Sequence, residues 1–230
     1  MARIFSVQLP NDEFHKRLGG GIPVGTIGLI KGEHGSGKSV VCQRIIYGLL
    51  KNDVSVTYVS TQLTTTDFIT QMLSLGYDIV KDMIKRRLLY IPVYPLIQEP
   101  MKRQNFAERL MNAKELFEKD VIVIDCFSTL VRSDVDEDSV VKLMGFFKRI
   151  AALNKAVILT ALDELEKHVM DEIESACSFI AETSVKKFGT DLKNIMLIRK
   201  YNMAGSTYAK QIAFRVEPGI GLVVEIAAVA

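Results

Sequence analysis

Eight consecutive residues, Gly32-Glu33-His34-Gly35-Ser36-Gly37-Lys38-Ser39, have the spacing GxxxxGK[ST]. Glycines at such positions let the backbone wrap until several N–H groups converge on phosphate oxygens, beside the positive end of a helix. Lys38 would then reach the β- and γ-phosphates of a nucleotide, and the Ser39 hydroxyl would ligand Mg2+. The residues expected to contact the nucleotide are His34, Gly35, Ser36, Gly37, Lys38, Ser39 and Val40, with His34 a contact and not a base. A second chemical element is the run VIVID at 121–125. An apolar strand ending in Asp125 sets one carboxylate at the C-terminal edge of a sheet, where it can hold the hydration shell of the same ion.

These groups need a strand before the loop and a helix after it. TIGLIK at 26–31 reads as that strand, and KSVVCQRIIYGLL, within a helical pattern over 38–51, as that helix. Further strands are predicted at 54–60, 88–91, 121–125 and 156–161, with helical patterns at 66–75, 101–119 and 137–153. Strands apolar on both faces, separated by helices, predict a mostly parallel sheet covered by helices. From about residue 177 the pattern changes to closely spaced strands, with turn residues Gly189, Gly205 and Pro218-Gly219 between them. That part predicts an antiparallel extension on one edge of the sheet.

The chain has 230 residues, 48% hydrophobic and 24% charged, enough for one well-buried α/β domain over 1–230, with no linker-like stretch dividing it. A net charge of +2 is too close to balance to imply a nucleic-acid or membrane surface by itself, and the densest basic run, Lys85-Arg86-Arg87, reads as a solvated helix end. Cys42, Cys126 and Cys177 are scattered, without metal-ligand spacing, as suits a reducing compartment. No secretory h-region is present, no apolar run approaches ~18 residues, and GLVVEIAAVA at the end carries Glu225. The expectation is a soluble, cytoplasmic protein.

The segments RLGGGIPVGTIGLIKGEHGSGKS, VIVID and LIRKYNMAGSTYAKQIAFRVEPGIGLVVEI together resemble the RecA superfamily, and within it the KaiC branch. There a phrase like LGGGIPxG introduces the strand before the phosphate loop, and a K-x-R-G-S strand followed by I-x-F-x-V…G-I-x-V closes the domain. The resemblance spans nearly the whole chain. It implies a RecA-like core that binds ATP with Mg2+ and assembles into a homo-oligomeric ring. Among single-domain members the chain is most similar to the accessory components of the archaeal flagellum (archaellum) motor. That likeness implies docking on the hexameric motor ATPase and on membrane platform components, with membrane association only through those partners.

Two departures bear on catalysis. In KaiC-like ATPases the strand after the phosphate-loop helix ends in an acidic pair, one member of which polarises the attacking water. Here the matching positions are Thr61 and Gln62. An amide can orient water but cannot take its proton, and general-base assistance contributes ~10²–10⁴-fold. In the K-x-R strand, Lys200-Tyr201-Asn202 keeps the lysine and replaces the arginine, although a one-residue shift would make Arg199 the basic residue reaching a neighbour's γ-phosphate. The alternative is that another carboxylate, such as Glu33, does the work. No residue is assigned as catalytic, and the expected behaviour is that of an ATP sensor: occupancy sets assembly, and turnover is slow.

Two other functions of phosphate-loop proteins conflict with the residues present. A recombination or repair ATPase needs cations after the strand at 156–161. Asp163–Glu174 instead carries six acidic side chains and one lysine, a net of −5 with histidine neutral, so no nucleic acid is expected. A small-molecule kinase would bring an arginine-rich lid, but the 126–136 loop offers only Arg132.

Overall fold

Strands that are apolar on both faces must be covered on both faces. The computed structural model, which describes residues 3–10, 12–93, 106–132, 135–188 and 191–225, has that arrangement. In chain order the elements are β1 (Ile4–Ser6), α1 (Phe14–Arg17), β2 (Gly21–Pro23), β3 (Ile27–Gly32), α2 (Lys38–Lys51), β4 (Val56–Ser60), α3 (Thr65–Ser74), α4 (Val80–Ile84) and β5 (Leu88–Pro92). They continue with α5 (Phe106–Asn112), a 3-10 turn (Lys114–Phe117), β6 (Val121–Asp125), α6 (Phe127–Val131), α7 (Glu137–Ala152), β7 (Ala156–Ala161) and α8 (Lys167–Ala176). The last four strands are β8 (Phe179–Phe188), β9 (Asp191–Tyr201), β10 (Gln211–Glu217) and β11 (Gly221–Glu225).

Among the described residues nine strands form one sheet in the order β11-β10-β9-β8-β3-β7-β6-β4-β5, and β1 pairs with β2 in a separate ribbon. The β8-β3-β7-β6-β4-β5 part is parallel throughout. β9, β10 and β11 extend it antiparallel. The predicted antiparallel region therefore begins one strand later than expected. β8 follows the crossover helix α8, so it returns parallel to β3, and the hairpins start only after it. The predicted helix over 101–119 is broken at Ala113, whose ψ of 70° leaves the helical region. Residues 101–105 of that prediction, the Gly189 turn, positions 133–134 of the 126–136 loop and residues 226–230 lie outside the described residues.

Side-chain alternation along the strands sorts the core into two layers. Val121 and Val123 of β6, with Ile158 of β7 and Tyr58 of β4, pack under α2 and α3. Ile122 and Ile124, with Val157 and Leu159, pack under α6, α7 and α8. The parity places Asp125 and Thr160 on the α2 side, the same side as Tyr58.

The α2 side is closed by the N-terminal segment. Arg44 of α2 is fully buried and its Nε donates to Asp12 Oδ2 at 2.7 Å. One terminal nitrogen lies 2.7 Å from the same oxygen. Its other terminal nitrogen donates to the Val7 carbonyl at 3.1 Å, and the guanidinium stands 5.2 Å from the Phe14 ring centroid. A charge on the phosphate-loop helix thus clamps down the preceding chain.

Candidate functional site

The loop after β3 turns into α2 at Gly37, whose φ of 92° lies in the left-handed region open to glycine. The first turn of α2 holds no acidic residue and no side-chain cap. Its free N–H groups and the positive helix end therefore face the loop, ready for an anion. A Cβ on Gly32 would stand 2.2 Å from the Thr183 carbonyl oxygen, so the loop lies directly on β8. Ser36 is buried beneath it: its Oγ donates to the Glu33 carbonyl and sits 2.7 Å from Thr183 Oγ1. Lys38 is buried too, donating to the Gly32 and Glu33 carbonyls at 2.7 and 2.6 Å. Burial pushes its pKa down, partly offset by the nearby Asp125 carboxylate.

Asp125 is held from both sides. The Tyr58 hydroxyl donates to Oδ2 at 2.7 Å and the Thr160 hydroxyl to Oδ1 at 2.7 Å. Burial, joined by the Asp125 charge, pushes the Tyr58 phenol well up, so it is a donor. The strand register explains this: β6 lies between β4 and β7, with Ser60 opposite Asp125 and Ile124 opposite Leu159.

Loop and carboxylate meet across β7 in a cleft of about 290 Å³. Of the predicted contacts, His34, Gly35, Gly37, Lys38, Ser39, Val40 and Asp125 line it, whereas Ser36 lies behind the loop. Gln62 lines it from the end of β4. Thr61 does not: its N–H donates to the Asp125 carbonyl at 2.8 Å and its Oγ1 accepts from the Cys126 N–H at 3.1 Å. The two positions expected to replace the acidic pair therefore separate, one facing the cleft and one stitching β4 to β6. The Glu33 side chain is exposed and outside the lining, leaving Asp125 as the one carboxylate among the described lining residues.

Ser60, Leu63, Gln71, Cys126 and Leu162 also line the cleft and were not read from the sequence. The position of Cys126 after VIVID was a usable signal. Gln71, arriving on α3, had none. Thr160, one hydroxyl near the end of an apolar strand, was a weak one.

Ser39 and Asp125 supply two hard oxygen donors lining the same cleft, and among the described residues no group of three or more His, Cys, Asp or Glu gathers. That donor set fits Mg2+, which keeps several waters and is completed by phosphate, and not a cage of protein ligands. Arg199 is engaged within the chain, its guanidinium 2.7 Å from Glu182, which also pairs with Lys31 at 3.1 Å. Lys200 makes no ion pair among the described residues. The acidic segment spans the turn before α8 and most of that helix, with Val169 and Ile173 buried and Asp163, Glu166, Asp171 and Glu172 exposed.

The tightness of the loop yields a prediction. In Gly37→Ala the new Cβ would lie 2.9 Å from the Phe214 ring and 3.1 Å from Asn194 Nδ2, in a left-handed conformation that itself costs ~1–2 kcal/mol. ATP affinity measured by equilibrium titration should fall about tenfold or more, and the thermal midpoint should fall with it. Wild-type affinity would mean the loop accepts another path.

Residues 11–226 match the family model described as "ATPase: KaiC". The archaeal flagellar ATP-binding protein FlaH of Methanocaldococcus jannaschii is 50% identical over 225 residues, covering 97% of each chain. The crystal structure of the flagellar accessory protein FlaH from the same organism superposes with a TM-score of 0.92 at 48% identity, covering 98% of this chain and 100% of that one. A KaiC-like protein from Pyrococcus horikoshii shares the fold, with a TM-score of 0.75 at 19% identity over 98% of this chain and 100% of that one.

Proposed function

The chain belongs to the KaiC ATPase family, and from that footing we propose that it is an ATP-binding regulatory component of an archaeal flagellum motor, working through nucleotide occupancy more than through turnover. The observation that carries this is the make-up of the cleft. A full phosphate cradle and one Mg2+-compatible carboxylate stand there, with amides and no second carboxylate among the described lining residues. The similarity to archaeal flagellar ATP-binding proteins supports the setting.

In this reading 1–230 act as a single ATP-binding unit. The loop amides and Lys38 bind the phosphates, and Ser39 and Asp125 orient the hydrated Mg2+, which neutralises phosphate charge when bound. Gln62 orients water without accepting its proton. Occupied protein assembles into a ring and docks on the hexameric motor ATPase and the membrane platform. Its place is cytoplasmic and peripheral to the membrane; among the described residues no helix is long and apolar enough to cross one.

The test is mass in solution with and without Mg-ATP, alone and with the motor ATPase, alongside turnover. ATP should raise the mass, and turnover should lie far below the ~10 s⁻¹ typical of enzymes. Gln62→Glu supplies the missing carboxylate and should raise turnover about tenfold, less than the ~10²–10⁴-fold of a full general base, because Asn202 leaves the arginine of the K-x-R strand missing. The double change with Asn202→Arg should give more, and the ATP-dependent assembly should decay sooner as its ligand is consumed. Brisk turnover by the wild-type protein would refute the occupancy reading.

A further inference from the structure

Resting on this ATP-site reading, we propose that Tyr58 is a positioning residue that sets the Asp125 carboxylate for hydrated Mg2+ and ties it to the helix bringing Gln71 to the cleft. Two hydroxyls, one from each strand flanking β6, each hold one oxygen of the same carboxylate at 2.7 Å. Both donors are buried, Tyr58 1% and Thr160 0% exposed. A carboxylate oxygen accepts about two hydrogen bonds. With one site on each oxygen taken from below, the plane of the group is fixed and its remaining acceptor capacity is left for the cleft, where the metal's waters would stand.

The Tyr58 ring is anchored in turn. It stacks on Phe68 of α3 with centroids 5.1 Å apart, and Phe68 stacks on Tyr90 of β5 at 4.1 Å. The Tyr90 hydroxyl donates at 2.8 Å to the carbonyl of Leu63, itself a lining residue. α3 carries both Phe68 and Gln71. The aromatic stack therefore joins the carboxylate to two other parts of the cleft wall. Packing requires only the ring at position 58; the hydroxyl's function is on Asp125.

Tyr58→Phe keeps the ring and deletes that one donor. The readout is the ratio of ATP-analogue affinities in Mg2+ and in EDTA, for wild type, Tyr58→Phe, Thr160→Val and, as a reference, Asp125→Asn. The ratio should fall about tenfold in Tyr58→Phe, since a hydrogen bond to a charged group orients strongly, and in the same direction in Thr160→Val, which tests the other oxygen should the first variant fold poorly. A purely structural tyrosine would weaken binding equally with and without Mg2+, leaving the ratio unmoved. An unchanged or raised ratio in both variants, with the ratio lost in Asp125→Asn, would overturn the proposal and leave the ATP site standing. A wild-type protein with no Mg2+ enhancement would overturn both.

Discussion

Lys38→Ala is expected to lower ATP affinity by about a hundredfold while leaving the apo protein folded. At an effective dielectric near 20, a unit charge pair 4 Å apart is worth ~4 kcal/mol. Allowing for screening, losing the ammonium beside two phosphates removes about two tenfold steps in binding. The fold should survive because the side chain caps a loop and fills no part of either core layer: among the described residues its ammonium bonds the Gly32 and Glu33 carbonyls. Burial disfavours the charged lysine in the free protein, so deletion also relieves a penalty. That penalty is present at neutral pH, where the lysine is charged in both states. It shrinks as pH rises through the lowered folded pKa, because the unfolded chain then holds the extra proton. Calorimetric titration with ATP, with circular dichroism on the same sample, checks both halves. Undiminished affinity in a folded variant would remove Lys38 from the site.

Asp12→Ala is expected to be the most destabilising single change considered. It strands the Arg44 guanidinium, 0% exposed, without its counter-charge, and breaking a buried pair on one side costs about 3–5 kcal/mol. Arg44→Met alone should cost less, since it removes the charge and retains most of the volume beside Phe14. The double variant should recover part of the Asp12→Ala loss, because an apolar replacement of a buried pair is often near neutral. Urea denaturation of the three variants gives the comparison directly. Equal losses for Asp12→Ala and the double variant would mean that packing, and not charge, holds the N-terminal segment. α2 begins at Lys38, so loosening the clamp should also weaken ATP binding, by less than Lys38→Ala does.

The phosphate loop, the strand before it and the helix after it were legible because they are consecutive: glycine spacing and apolar runs encode local backbone geometry. VIVID was legible for the same reason, and β6 has the predicted bounds, Val121–Asp125. The short ribbon β1–β2 and helix α1 were not, since three- and four-residue elements carry no periodicity. Thr61 and Gln62 show the limit within a single stretch. Their types exclude a carboxylate base at either position, but adjacent residues at a strand end diverge, and which one faced the cleft depended on how β4 lies against β6.

The sequence by itself determined the chemistry on offer: a phosphate cradle, one terminal aspartate, and amide and hydroxyl where related ATPases carry acids. It also determined the face on which each strand residue lies, because alternation is a property of the extended chain. Only the tertiary structure decided which faces meet. Tyr58 and Asp125 are 67 residues apart, Thr160 and Asp125 35, Ser36 and Thr183 147, and Arg44 and Asp12 32. None of these pairs follows from local spacing. They follow from the strand order β8-β3-β7-β6-β4-β5 and from the packing of α2 beneath the N-terminal segment, which the chain adopts because burying both faces of the sheet at once stabilises it more than any local preference does.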